Sequence, residues 1–418
     1  MAKPCNCIIH QTEPDQYYAI RDDGILALYK NGAIEPLKEY PKEESLLIYS
    51  GYEDIWITGD DGTKRRTQKT NDRLPYDGKY TMELLGPWLS VFQKYGTNGC
   101  VYHVETGERR QFSRENYHAD VSSYSNGLLV YKGQICLLHQ TEWNRLDITN
   151  LETGVRMTDR EVYYRLLDET DDKGQRKHEE KNYVDYFHGR ICFSPDYQYF
   201  LDLGWVWQPD GVPFLYRTED FLEKFENSRI NLTINDMAVY CDDWDQGAAW
   251  LDNDTFLIQF MPDVDFLEED SVFADGAKSV LLQFDVGDIR MPRKVNGCRT
   301  LHVEKVLPPP FVTSKLSSVY LPKQGETVCC EQMLDTDLYW DGKENLLIGI
   351  LGNELLVFDR NSGASYSIRY GGETCFYSVD HHMAYQMPPW PGNFKSAPIR
   401  SLLKAARACY FTPCECSV

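Results

Sequence analysis

The sequence predicts an all-β chain, a single β-propeller of about seven four-stranded blades, with six or eight also compatible. Three observations predict it. Seven turn pairs recur along the 418 residues: Asn31-Gly32, Asp61-Gly62, Thr106-Gly107, Thr153-Gly154, Asp210-Gly211, Val286-Gly287 and Ser362-Gly363. Glycine accepts positive φ without a Cβ clash, so each pair suits the tight link between antiparallel strands. The segments flanking these pairs are short and rich in β-branched and aromatic residues, among 28 Tyr, 18 Phe and 9 Trp in the whole chain. No apolar run approaches the roughly 18 residues that would span a bilayer, so these segments read as strands of small sheets.

The first unit, residues 16–21, 25–30 and 33–37, supplies three strands where a blade has four. Thr374-Cys375-Phe376-Tyr377-Ser378-Val379 is expected to add the fourth, closing the ring by pairing the N- and C-terminal segments. Closure of that kind removes exposed sheet edges. Cys100-Val101-Tyr102-His103-Val104 before Glu105-Thr106-Gly107, and Leu146-Asp147-Ile148-Thr149-Asn150 before Glu152-Thr153-Gly154, repeat one scheme. Residues 346–350, 354–359 and 361–363 repeat it again. Two helices are expected within the β pattern: 218–225, which opens on Thr218 with Glu219 and Asp220 behind it, and 159–169, with Val162, Tyr163, Leu166 and Leu167 at spacings of three to four.

Within this pattern Cys192-Phe193-Ser194-Pro195-Asp196-Tyr197 resembles the Ser-Pro-Asp-Gly turn of bacterial propellers, with Tyr197 where glycine usually stands. Trp250-Leu251-Asp252-Asn253-Asp254-Thr255 is similar to the inner hairpin of such blades. The chain therefore resembles the WD-repeat-like propellers at the level of the fold. Trp244-Asp245 and Trp340-Asp341 depart from that signature, since neither closes a third strand. Thr58-Gly59-Asp60-Asp61-Gly62-Thr63 partly resembles the Asp-box turn of sialidase-type propellers, where the motif is structural.

Residues 1–392 are expected to form the propeller, and 393–418 a helix with a cysteine-containing tail. Residues 396–409 carry helix formers, with Ile399, Leu402, Leu403 and Ala406 as an apolar stripe and Arg400, Lys404 and Arg407 as a basic one. Such a helix would cap its own propeller or dock on a partner.

Composition narrows the function classes. The net charge of −21 disfavours a direct grip on nucleic acid, which depends on clustered Lys and Arg releasing counterions. A protein partner, in particular a basic one, is expected instead. Met1 to Cys7 lacks the apolar core of a signal peptide, and many of the 13 cysteines fall inside predicted strands as small hydrophobes, so a cytoplasmic home is expected. Cys5, Cys7, Cys414 and Cys416 form two Cys-X-Cys pairs that ring closure would bring together. Four thiolates would suit one structural zinc, although two to four residues is the usual spacing, and disulfides or unpaired thiols are the competing readings. No other cofactor is expected.

The spacing between turn pairs drifts from about 30 to about 76 residues. If each pair joins the outer two strands of a blade, the surplus falls between blades or between second and third strands, and those connections share one face. That face would carry residues 168–182, the run Asp242, Asp243, Trp244 and Asp245, and the acids Asp263, Asp265, Glu268 and Glu269. Insertions in repeat folds often build the binding face. The reading is thus a non-enzymatic protein-interaction scaffold, an inhibitor or immunity-type protein for a basic partner being one version. The alternative is a glycan-binding or glycan-cleaving propeller with carboxylates near the axis and Trp205, Trp207 or Trp244 as stacking platforms. The sequence names no catalytic residue.

Overall fold

In the computed structural model, the strands form consecutive antiparallel meanders, each starting near a common axis and stepping outward. The structure describes residues 10–13, 16–20, 26–30, 33–34, 52–58, 64–70, 80–170, 173–174, 176–207, 210–225, 228–234, 237–240, 247–260, 280–289, 299–307, 317–318, 337–351, 354–369, 374–378, 383–387 and 395–404. Among the described residues, seven sheets have three or more strands, and two more are two-stranded hairpins. The 80–113 sheet is a complete blade: Tyr80–Leu85, Trp88–Gln93, Asn98–His103 and Arg109–Ser113 pair in chain order. The 126–150 sheet has three strands, and a bridge from Thr149 to Arg156 marks its fourth. Blades built on 187–234, 248–307 and 337–369 follow.

The innermost strands of successive blades pack side by side: Tyr80–Leu85 on Asn126–Tyr131, that strand on Phe187–Phe193, then Ala248–Trp250, then Asp337–Asp341. Tyr80, Gly127, Arg190 and Tyr339, each on a different innermost strand, line one cavity of about 480 Å³. This radial order of meander sheets about a shared cavity is a β-propeller. Apolar side chains fill the gaps between blades; Leu201, Leu215, Ile230, Phe256, Ile258 and Phe284, for instance, pack two neighbouring sheets together. Tryptophans stitch the seams as well. Trp88 Nε1 donates to Glu152 Oε1 at 3.0 Å and Trp250 Nε1 to the Cys192 carbonyl at 3.0 Å, each across to the next blade.

Thr106-Gly107 and Ser362-Gly363 join third to fourth strands, as the spacing argument requires, and the 153–154 turn leads from the third strand to the Arg156 bridge. The Ser194 turn joins first to second strand in its blade. Tyr197 takes φ +60° there, while Ser194 Oγ donates to Asp196 Oδ1 at 2.7 Å and accepts from Tyr199 N at 3.0 Å. A tyrosine thus occupies the left-handed position with its turn intact.

Four expectations change. Asp210–Gly211 pairs with the end of Tyr199–Val206 and lies between second and third strands, because its blade folds a small β-flap there. Residues 159–169 are not helical: Tyr163–Thr170 is a strand paired with Arg176–Lys181, held by Arg165 to Glu179 and Lys177 to Glu169 contacts. A spacing of three to four over so short a run does not separate helix from strand, and cross-strand charges decided it. The first sheet fills its own fourth place with His10–Glu13, paired to Gln16–Ile20, while Thr374–Ser378 pairs with Met383–Met387. The local partner needs a far shorter loop than one more than 300 residues away, so it costs less closure entropy. Finally, Lys395–Pro398 is a strand on Met383–Met387, across the boundary drawn at 392, and the helix starts at 399. Ile399 and Leu403 are buried against Leu346, Ile348 and Val357, so this helix caps its own propeller, with Arg400 paired to Glu344. The 218–225 helix is present as Thr218–Glu223, with Arg217 as its N-cap.

Candidate aromatic interaction site

In a meander that starts on the inside, first-to-second and third-to-fourth turns lie at one end of the strands. Second-to-third links and blade-to-blade connections lie at the other. Connections of the second kind bring together rings from four separate segments: Tyr117 and His118 from 114–125, Trp143 from the 143–144 turn, Phe187 from the entry to its blade, and Trp205 with Trp207 from the end of a second strand.

The support is built from below. At Gly189 an added Cβ would lie 2.0 Å from the Leu203 carbonyl oxygen, and at Gly204 one would lie 2.1 Å from that of Phe187. The two strands meet so closely here that only glycine fits. Gly189 N donates to Asp202 Oδ1 at 2.9 Å, His188 Nδ1 sits 2.5 Å from Asp202 Oδ2, and Gly204 N donates to the Tyr186 hydroxyl at 2.7 Å. The pairing register shifts between Phe187 and Arg190, which sets Phe187 opposite Trp205. Their rings stack at 3.9 Å and 6°, and both are buried.

Two exposed rings lie on this support. Tyr117 is 48% exposed and Trp207 60%. Each ring centroid is 5.7 Å from that of Phe187 and close to parallel with it, at 19° and 25°. His118 stands at 4.5 Å from Tyr117 and 5.0 Å from Trp207, and Trp143 at 4.6 Å from Phe187. The 114–125 segment is held by buried Arg114. Its guanidinium donates to the carbonyls of Gly96, Ala119, Ser122 and Ser123 and to Gln140 Oε1, at 2.6 to 3.0 Å. That knot fixes His118 at φ +52°, an uncommon value for histidine. Backbone strain of this kind clusters at functional sites.

The residues singled out from sequence fall into three groups. Trp207 is on the exposed surface, whereas Trp205 is buried at 2% and acts as support, so it offers no free face for stacking. Asp242, Asp243, Trp244 and Asp245, the acids Asp263, Asp265, Glu268 and Glu269, and Cys5, Cys7, Cys414 and Cys416 lie outside the described residues. The strands around the 261–279 insertion are nevertheless second and third in their blade, Thr255–Phe260 and Val280–Asp285, and 241–246 precedes the first strand of that blade. Sequence reasoning missed Tyr117, His118, Trp143 and Phe187. The available signal was an aromatic residue at each of several connections of one class.

The axial cavity is a separate feature. Glu83 on its wall accepts from Leu128 N at 2.7 Å, and burial pushes its carboxyl up to about 7. Glu83 is the one carboxylate among the described residues lining it, whereas glycosidic cleavage uses two, about 5 to 10 Å apart.

No protein-family model matches the chain, and no curated protein matches it in sequence. Among solved structures, it is similar to the β-propeller domain of Cps50 (Swd1) from Myceliophteria thermophila, at 8% identity over 95% of this chain and 97% of that one, with a TM-score of 0.44. It is also similar to U3-55K, at 7% identity over 92% of each chain, with a TM-score of 0.39. The protein is a β-propeller in architecture. Among the described residues, no helix is long and apolar enough to cross a membrane.

Proposed function

We propose that this propeller is a non-enzymatic interaction scaffold whose insertion-bearing face binds a protein partner. The observation that carries this reading is the pair of exposed rings, Tyr117 and Trp207, seated on the buried Phe187 and Trp205 stack. Rigid aromatic side chains lose little entropy on binding, and such anchors dominate the energetics of interfaces. The partner is basic, matching a chain of net charge −21, and an inhibitor of a basic toxin is one version of the pairing. In this reading Asp242, Asp243, Trp244 and Asp245, with Asp263, Asp265, Glu268 and Glu269, are the acidic and aromatic residues that meet the partner, and the complex forms in the cytoplasm.

Affinity capture from the native host tests this. The chain should retain a specific protein, and Tyr117→Ala with Trp207→Ala should lose it; charge reversal at Asp242, Asp243 and Asp245 should weaken it. A partner retained equally by all variants would move binding off this face.

A further inference from the structure

We propose that the seat formed by Tyr117 and Trp207 receives an arginine side chain from a basic segment of the partner, an inference that rests on the scaffold reading and sharpens it. The rings come from segments 114–124, 141–145, 182–187 and 205–207. Their exposed charged side chains are Glu115, Asp120, Glu142 and Asp185. Both arginines on these segments are committed inward. Arg114 is buried with its donors spent on four carbonyls and Gln140, and Arg145 Nε is bonded to Asp147 Oδ2 at 2.9 Å. Among the described residues of these segments, the exposed charges are therefore acidic while the exposed rings are Tyr117 and Trp207.

A cation over an aromatic face is attracted by the ring quadrupole, and the gain grows where acids nearby offset the cost of removing water. Ring orientation selects between the two basic side chains. Tyr117 and Trp207 lie at 19° and 25° to Phe187, so each presents a flat face beside the same buried ring. A guanidinium is planar, weakly hydrated and able to stack while its edge N–H groups reach carboxylates, whereas an ammonium is a compact, strongly hydrated point charge. Anchoring by arginine on the rings with its N–H edge toward the acids uses both features of the site.

The test titrates three synthetic octapeptides of alternating glycine and arginine, lysine or glutamine into the full-length chain, followed by calorimetry at low and physiological salt. The arginine peptide should bind at least tenfold more tightly than the lysine peptide, and the glutamine peptide should show no binding. Trp207→Ala and Tyr117→Ala should each weaken the arginine peptide at least tenfold, and Asp120→Asn with Asp185→Asn should weaken it and flatten its salt dependence. Val155→Ala, exposed on the opposite face, should bind as the parent does. Equal binding of arginine and lysine peptides, or full binding by Trp207→Ala, overturns the inference. If the host partner is nevertheless lost by Trp207→Ala, the scaffold reading survives that result; if the partner too is retained, both fall.

Discussion

The two ends of the same strands solve opposite problems. At the end with first-to-second and third-to-fourth turns, the tight links reverse the chain in a few residues, although the third-to-fourth link after Phe214–Arg217 carries the Thr218–Glu223 helix. Gly107, Gly133, Gly154 and Gly363 take positive φ, and short side chains satisfy the turn backbone: Asn150 Oδ1 accepts from Glu152 N and Thr153 N, and Asp252 Oδ1 from Asp254 N and Thr255 N. At the other end second-to-third links such as 143–144 are equally short, but the 114–125 connection between blades is longer and large side chains organise it. The Arg114 knot and the ring stack are tertiary, drawing on residues from three or more segments. Backbone chemistry fixes the first end, and packing of side chains fixes the second. Among the described residues, the exposed rings Tyr117 and Trp207 lie at the second end, which is why binding is placed there.

Removing the knot should break this contrast most severely. Arg114→Met leaves four carbonyls and Gln140 Oε1 buried without their donor, which should cost about 4 to 5 kcal/mol in urea unfolding. A loss below about 1 kcal/mol would mean that the 114–125 segment holds its shape by other means. Next comes the ring stack. Trp205→Ala should cost about 3 to 4 kcal/mol because its ring is fully packed, whereas Trp207→Ala should cost under about 0.5 kcal/mol and act on binding alone. Equal destabilisation by the two would erase the distinction between support and seat.

The difference between the ends also explains what was legible in the sequence. Thr106-Gly107, Ser194-Pro195-Asp196 and Asp252-Asn253-Asp254 announce themselves because a turn's requirements are met by residues adjacent in the chain. The meander order followed from them. Tyr117, Trp143 and Phe187 meet across three connections, and nothing local in Glu142-Trp143-Asn144 says that its ring will reach Phe187. Trp205 and Trp207 were indistinguishable as neighbours in sequence; Trp205 lies in the strand opposite Phe187 and is buried, whereas Trp207 lies past the strand's end at Val206 and is exposed. The strand at 163–170 was misread because its determinants, Glu179 and Lys177, sit on the partner strand.

Between the two ends lies the seam of innermost strands, where Glu83 gives a pH response that neither turns nor platform would produce. Burial raises its carboxyl to about 7 from an ordinary 4.5. Between those values the folded protein holds a proton that the unfolded chain has released, so stability should fall as pH rises through the window and level off above it. After allowance for its contact with the cavity, the effect should be about 1 to 2 kcal/mol. Glu83→Gln can still accept from Leu128 N, so it should flatten the slope and be the more stable protein at pH 8 but not at pH 4. Parallel urea curves for both proteins across this range would exclude Glu83 as the source.

A smaller effect than that of Glu83 belongs to the turn end, and it isolates strain from packing. At Gly363, φ is +68° and an added Cβ would meet nothing within 4 Å, so Gly363→Ala carries conformational cost without a clash. That cost should be about 1 kcal/mol. Because the turn joins two outer strands at the end opposite the rings, the variant should lose this stability while capturing the partner of the Tyr117 and Trp207 seat as the parent does. Loss of stability and binding together would show that the two ends are coupled through the blades. Loss of stability alone would establish that one end of the propeller holds its shape independently of what the other end binds.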